Sequence, residues 1–286
     1  MHNRFKINEE LSVSPIVDDM CGELSRLLIE KISRNERKMV MDKNLVMYKG
    51  QIQFECSKWL KTIKYLKVIY VVYLFESETE FNTMEKHGLM NCSADYQNKN
   101  IKLALGYVNG NPSRNFFSSI RHELKHIYEY DCGMQKNENF YELVTRKCQS
   151  NIKWERLVAW ALYLSFKTEQ DAFLSQYYEY LKMNKNYMKD PLEDKENPYY
   201  KFDVAFDNVD CLNLNDKDMK DSFGITVNQL YNILEAADDR LFKKMCHVWQ
   251  KYNNDINNSS IRPHFGEFLT ECFHNGIDLM ESDIVY

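Results

Sequence analysis

Glycine and proline are scarce in this chain: its 286 residues include 9 and 5 of them. Few tight turns are therefore expected, and mostly helical structure. No window reaches the roughly 18 apolar residues of a membrane-crossing helix. The longest apolar runs, Val68 to Phe75 and Leu157 to Phe166, fall short of that. Met1 to Pro15 lack a basic start followed by an apolar stretch, so no secretory leader is expected. Cys-x-x-Cys is absent too, and the eight cysteines, at 21, 56, 92, 132, 148, 211, 246 and 272, are irregularly spaced. Reduced thiols in a cytoplasmic protein are expected rather than disulfides. There is no excess of positive charge: 37 Lys and Arg against 42 Asp and Glu leave a net charge of −5. That balance argues against nucleic acid as a partner. No internal repeat, phosphate-cradling glycine loop or nucleophile-elbow serine occurs. What remains is a chain with 44% hydrophobic residues, enough for a globular core in one large domain or two small ones.

One pattern carries chemistry. Ser119 to His126 reads Ser-Ile-Arg-His-Glu-Leu-Lys-His, which sets His122, Glu123 and His126 in a His-Glu-x-x-His arrangement. On a helix, residues four apart project from nearly the same angle, one turn above the other. Two imidazoles so placed can hold one zinc ion from one face. Glu123 sits about 100° further round the helix. From there it can reach a water on the ion's open side and take its proton.

The context suits a helix. Asn111, Pro112 and Ser113 make an entry with Ser113 as N-cap, and Gly133 is a C-terminal stop. With His122 set at 0°, Phe116, Phe117, Ile120, Leu124, Ile127 and Tyr128 fall between about 120° and 240°, and His126 at about 40°. One face is thus expected to pack into a core while the other offers the imidazoles to a cleft. Ser118 and Ser119 flank that second face with small side chains.

A catalytic zinc of this kind takes a third protein ligand, with water in the fourth position. An extended pattern with Gly at 129 and His at 132 is excluded, because Glu129 and Cys132 stand there. Glu129 lies a turn past His126, too far along an unbroken helix to serve with His122, and reads as a solvated surface residue. A later helix must then supply the ligand, and Glu142, Glu155, Glu169 and Asp171 are the candidates.

Leu162 to Phe173 contains the run Glu169-Gln170-Asp171-Ala172. Together with the His-Glu-x-x-His helix before it, this run resembles the small gluzincin-type zinc metallopeptidases, or zincins, of bacteriophages and mobile elements. The resemblance covers about residues 60 to 185. In those proteins a later helix carries a Glu-x-x-Ala-type run whose Glu completes the site. The resemblance therefore implies Glu169 as third ligand beside His122 and His126, with Glu123 catalytic. Thr168 to Asp171 also scans as a capping box, Thr168 as N-cap and Asp171 reaching back. That would occupy Asp171 and leave Glu169 for the metal.

Along the chain, residues 15 to 37 read as an amphipathic helix through Ile16, Met20, Leu24, Leu27, Leu28 and Ile32. Residues 45 to 55 are expected to be extended, with Gly50 as a turn. Val68 to Phe75 and Ile101 to Val108 read as strands. The second of these is nominated as a sheet edge on which a peptide could pair backbone to backbone. Residues 138 to 150 and 151 to 184 read as helices, and 182 to 198 as a polar linker. In the remainder, Thr226 to Gln229 scans as a capping box. Leu230, Leu234, Ala237, Leu241, Met245, Val248 and Tyr252 then form a stripe expected to pack within the chain, with a partner protein as the alternative. Asp203, Asp207, Asp210, Asp216, Asp218 and Asp221 lack the Gly and Glu of a calcium loop and read as a solvated acidic face. His247, His264 and His274 have no ligand-like spacing.

The expected fold class is α+β and zincin-like, a small sheet packed on the His-Glu-x-x-His helix. Residues 1–185 would form that domain and 199–286 a helical C-terminal unit. The expected function is zinc-dependent hydrolysis of a peptide or protein, with no nucleic-acid or membrane partner. Tyr177, Tyr178 and His264 are candidates for stabilising the oxyanion. The rival expectation is a non-catalytic zincin-fold structural or binding protein, for instance in a phage particle.

Overall fold

The computed structural model describes residues 14–33, 38–42, 45–86, 92–113, 115–134, 138–183, 194 and 196–256. His264, His274 and Cys272 lie outside them. The chain is mixed α and β and divides into two compact units, Met1–Gln135 and Lys136–Tyr286. The sequence had suggested a boundary in the linker before residue 199 instead. Among the described residues, no helix is long and apolar enough to cross a membrane.

The first unit contains α1 (Pro15–Ser33), β1 (Lys38–Asp42), β2 (Leu45–Glu55), β3 (Tyr65–Phe75), α2 (Glu78–Lys86), β4 (Ser93–Asp95), β5 (Asn100–Val108), β6 (Asn111–Pro112) and α3 (Phe116–Asp131). The sheet runs in the order β1-β2-β3-β5-β4, with β6 paired to β5. All pairings are antiparallel except β3 with β5. Alternation along β3 buries Leu66, Val68, Tyr70 and Val72 on one face. Ile101, Leu103, Leu105 and Tyr107 of β5 join that face. Val17, Met20, Leu24 and Leu28 of α1 and Ile120, Leu124 and Ile127 of α3 complete the same core. The apolar stripe of α3 therefore packs where its periodicity placed it.

Three local expectations change. Gly50 is not a turn; it lies within β2, opposite Tyr70 of β3. A side chain at that position would run into the Tyr70 ring, and only glycine gives the ring this room. Residues 101–108 are not an open edge. β3 pairs along one side, while β4 and β6 pair the two ends of the other. Between those ends the Cys92 thiol bridges Ala104, accepting from its N–H at 3.4 Å and donating to its carbonyl at 3.6 Å. Finally, α3 is capped at Asn115 rather than Ser113, without a side-chain hydrogen bond.

The far end of α3 behaves as expected. Gly133 takes a positive φ of 80°. Gly133 N–H bonds the Tyr130 carbonyl and Met134 N–H the Glu129 carbonyl, at 2.9 and 3.0 Å, a Schellman ending. Asp131 accepts from the backbone N–H groups of Lys61 and Thr62, each at 2.7 Å. These bonds pin the helix end to the loop between β2 and β3.

The second unit is helical: α4 (Glu138–Lys147), α5 (Lys153–Ser165), α6 (Lys167–Met183), α7 (Pro198–Asp210), α8 (Asp216–Phe223) and α9 (Val227–Ile256). The continuous helix expected over 151–184 is interrupted at Phe166, whose backbone is extended (φ −64°, ψ 130°). Arg240 of α9 secures the break. Its guanidinium donates to the Ser165 carbonyl at 2.6 Å and to Gln170 at 2.7 Å. A carbonyl orphaned by the helix end is thereby satisfied. The box at Thr226 and Gln229 forms, each side chain accepting from the other's backbone N–H at 3.1 and 2.8 Å. All seven residues of the α9 stripe are buried, and α9 packs against α5, α6 and α7 within this unit. The six aspartates of the acidic face are exposed.

Candidate metal centre

In α3 the four-residue spacing turns both imidazoles to one side. The ring centroids lie 4.9 Å apart with planes at 79°. His122 Nε2 and His126 Nε2 are 3.2 Å apart. Two nitrogens bound tetrahedrally to one zinc at about 2.05 Å each would stand about 3.3 Å apart. The pair thus already has the spacing of two ligands on one ion. Both histidines are 8% exposed.

Glu123 is buried as well. It lies near enough to Cys92 to act on its thiol. Burial, with a further push from the Glu123 carboxylate, raises that thiol to about 12. Cys92 therefore stays protonated and keeps its S–H for the Ala104 carbonyl. Glu129 is not a solvated surface residue. It is 2% exposed and pairs at 3.4 Å with Lys125, one turn earlier on α3 and fully buried. A buried charge needs such a partner, which the four-residue spacing supplies.

In the helical unit, Glu169 stands in the first turn of α6 and is fully buried. Tyr141 of α4 donates a hydrogen bond of 2.8 Å to its Oε1. The other three carboxylates are placed differently. Asp171 does not form a capping box with Thr168, because α6 begins at Lys167. Its carboxylate is paired instead with the Lys244 ammonium of α9. Glu155 is buried and takes hydrogen bonds from Lys147 and Ser150 at 2.5 Å and from Ser222 at 2.7 Å. Burial pushes its carboxyl up, but those bonds and the Lys147 charge outweigh this and hold it at about 2. Glu142 is exposed.

Among the described residues, His122, His126 and Glu169 form the one group of three or more His, Cys, Asp or Glu whose ligand atoms all lie within 4.8 Å of one another. Two imidazoles and one carboxylate suit zinc in their chemistry. Tyr177, a sequence candidate for the oxyanion, donates to Asp194 at 2.9 Å. Tyr178 is buried, with the Lys182 ammonium 5.3 Å from its ring centroid. Tyr141 and Cys92 were missed. Tyr141 is 28 residues from Glu169, and no spacing rule joins two positions on different helices. The chain matches no family model, no curated protein and no solved structure.

Proposed function

We propose that the chain is a zinc-dependent hydrolase of zincin-like fold, with peptides or proteins as substrate. Carrying this reading is the buried grouping of His122, His126 and Glu169, with their ligand atoms within 4.8 Å of one another. It is supported by the 3.2 Å spacing of the two Nε2 atoms, and by Glu123 directly after the first histidine. A purely structural metal site has no use for a general base in that position.

Zinc, when bound, supplies a Lewis acid that polarises a carbonyl and makes water more acidic. His122, His126 and Glu169 would hold it. Glu123 takes the proton of the attacking water and passes it to the leaving amine. Its negative charge and its place on the metal helix suit it to both transfers.

A second reading, a binding module without catalysis, draws support from the covered side of β5. Among the described residues, β4 and β6 take the two ends of that side and the Cys92 thiol engages Ala104 between them, so a peptide would find only part of the strand to join. One experiment separates the two. Protein purified without chelators is assayed for metal, then incubated with a broad peptide library beside Glu123→Gln and the His122→Ala/His126→Ala double variant. About one zinc per chain, with cleavage only by the wild type, upholds the hydrolase. Absence of zinc from supplemented wild type, or equal zinc in the double variant, refutes it. Zinc in wild type without cleavage moves the conclusion to the binding module.

A further inference from the structure

We infer that Tyr141 is a positioning residue that fixes the Glu169 carboxylate for one-oxygen metal binding; this rests on the zinc reading above. A glutamate ligand has two equivalent oxygens and a broad terminal torsion. Unrestrained, it can turn away or take an ion with both oxygens and fill a position that water needs. Tyr141 Oη donates to Glu169 Oε1 at 2.8 Å, which sets the plane of the carboxylate and engages one of its oxygens. A carboxylate ordered before metal arrives loses less freedom on binding it.

The phenol is itself held in place. Its ring centroid lies 5.2 Å from that of Phe166 and 6.1 Å from that of Tyr163. Tyr163 in turn stacks on Trp160 at 5.6 Å, with the planes 17° apart. Phe166 stands at the break between α5 and α6, three residues before Glu169. The residue that interrupts the helix thus also packs the ring that reaches the carboxylate.

The chemistry of the donor distinguishes Glu169 from its neighbour. Asp171, two residues on, is matched by the Lys244 ammonium. A cation there satisfies the carboxylate's charge and competes with a metal. Tyr141 is a neutral donor: it orients the carboxylate without adding a charge of its own. A Glu with a phenol partner is suited to bind metal, whereas an Asp with a lysine partner is suited to hold two helices together.

The test uses the full chain and the variant Tyr141→Phe, which keeps the ring and removes only the hydroxyl. Zinc affinity is measured by competition with a chromophoric chelator, and melting is recorded on chelator-stripped protein. Visible spectra are taken after cobalt substitution. The expected result is a 10–100-fold loss of zinc affinity, about that of removing an outer-shell partner. Metal-free melting stays unchanged, and the cobalt absorption weakens as a second carboxylate oxygen enters the coordination shell. Zinc binding as tight as in wild type overturns the inference. So does an affinity that falls only alongside metal-free stability, which would make Tyr141 structural. Loss of hydrolysis with zinc affinity intact also overturns it, because Tyr141 would then act on substrate. Failure of wild type itself to bind zinc is a separate outcome, and removes the metal reading along with the inference.

Discussion

The Lys244 ammonium on α9 is paired with the carboxylate of Asp171, two residues beyond Glu169 on α6. The two acidic residues of this run are therefore not interchangeable. Glu169→Gln is expected to weaken zinc binding by more than about 100-fold, beyond the usual effect of an outer-shell change. Asp171→Asn is expected to keep zinc and to cost about 3 kcal/mol of stability, since it leaves a largely buried ammonium without its anion. Zinc titration and urea unfolding of both variants check this. Zinc loss confined to Asp171→Asn would reverse the assignment.

Glu123→Gln keeps the size of the side chain but cannot accept a proton at neutral pH. Hydrolysis should fall by at least roughly 10²–10⁴, with zinc content and melting temperature close to wild type. Activity surviving in this variant would mean that another group acts as base.

Glu155 makes the helical unit sensitive to acid. Its carboxyl ordinarily titrates at 4.5 and is held at about 2 in the fold. A carboxylate with a lowered folded value adds stability above the ordinary value, and the contribution fades as pH falls from 4.5 towards 2. Wild type should therefore exceed Glu155→Gln in stability at about pH 6, with the gap closing near pH 2. Denaturant unfolding of both proteins across this range measures it. A gap that is constant with pH would show that the ionised form is not what the three donors stabilise.

Gly50→Ala should destabilise the first unit by about 1–3 kcal/mol, the usual cost of forcing a methyl into a filled space. The new Cβ meets the Tyr70 ring across the β2–β3 pairing. Unfolding midpoints decide the matter; a change below about 0.5 kcal/mol, the range of ordinary surface substitutions, would mean that the ring moves aside freely.

Features set by residues close in sequence could be read from the sequence. The stripe of α3, the Gly133 ending, the Thr226–Gln229 box and the stripe of α9 all depend on spacings of three or four. So did the two imidazoles, whose geometry follows from one helical turn. What escaped notice depends on distant partners. Asp171 scans locally as a cap, yet its partner is 73 residues away. Phe166 looks like any apolar residue inside a helix, and the guanidinium that secures the break belongs to Arg240, 75 residues beyond Ser165. Gly50 scans as a turn because nothing near it in sequence reveals Tyr70 across the sheet. Glu129 was misread for another reason: its partner Lys125 was in view, but burial of that part of α3 was not.

The interruption at Phe166 also has an electrostatic consequence. Had residues 151–184 formed one helix, Glu169 would sit mid-helix, where the peptide dipoles cancel locally. Because a new helix starts at Lys167, Glu169 stands instead in a first turn. There the unpaired N–H groups carry a partial positive charge, and an anion is favoured by roughly 0.3–1 kcal/mol. The backbone thereby offsets part of the burden of burying this carboxylate.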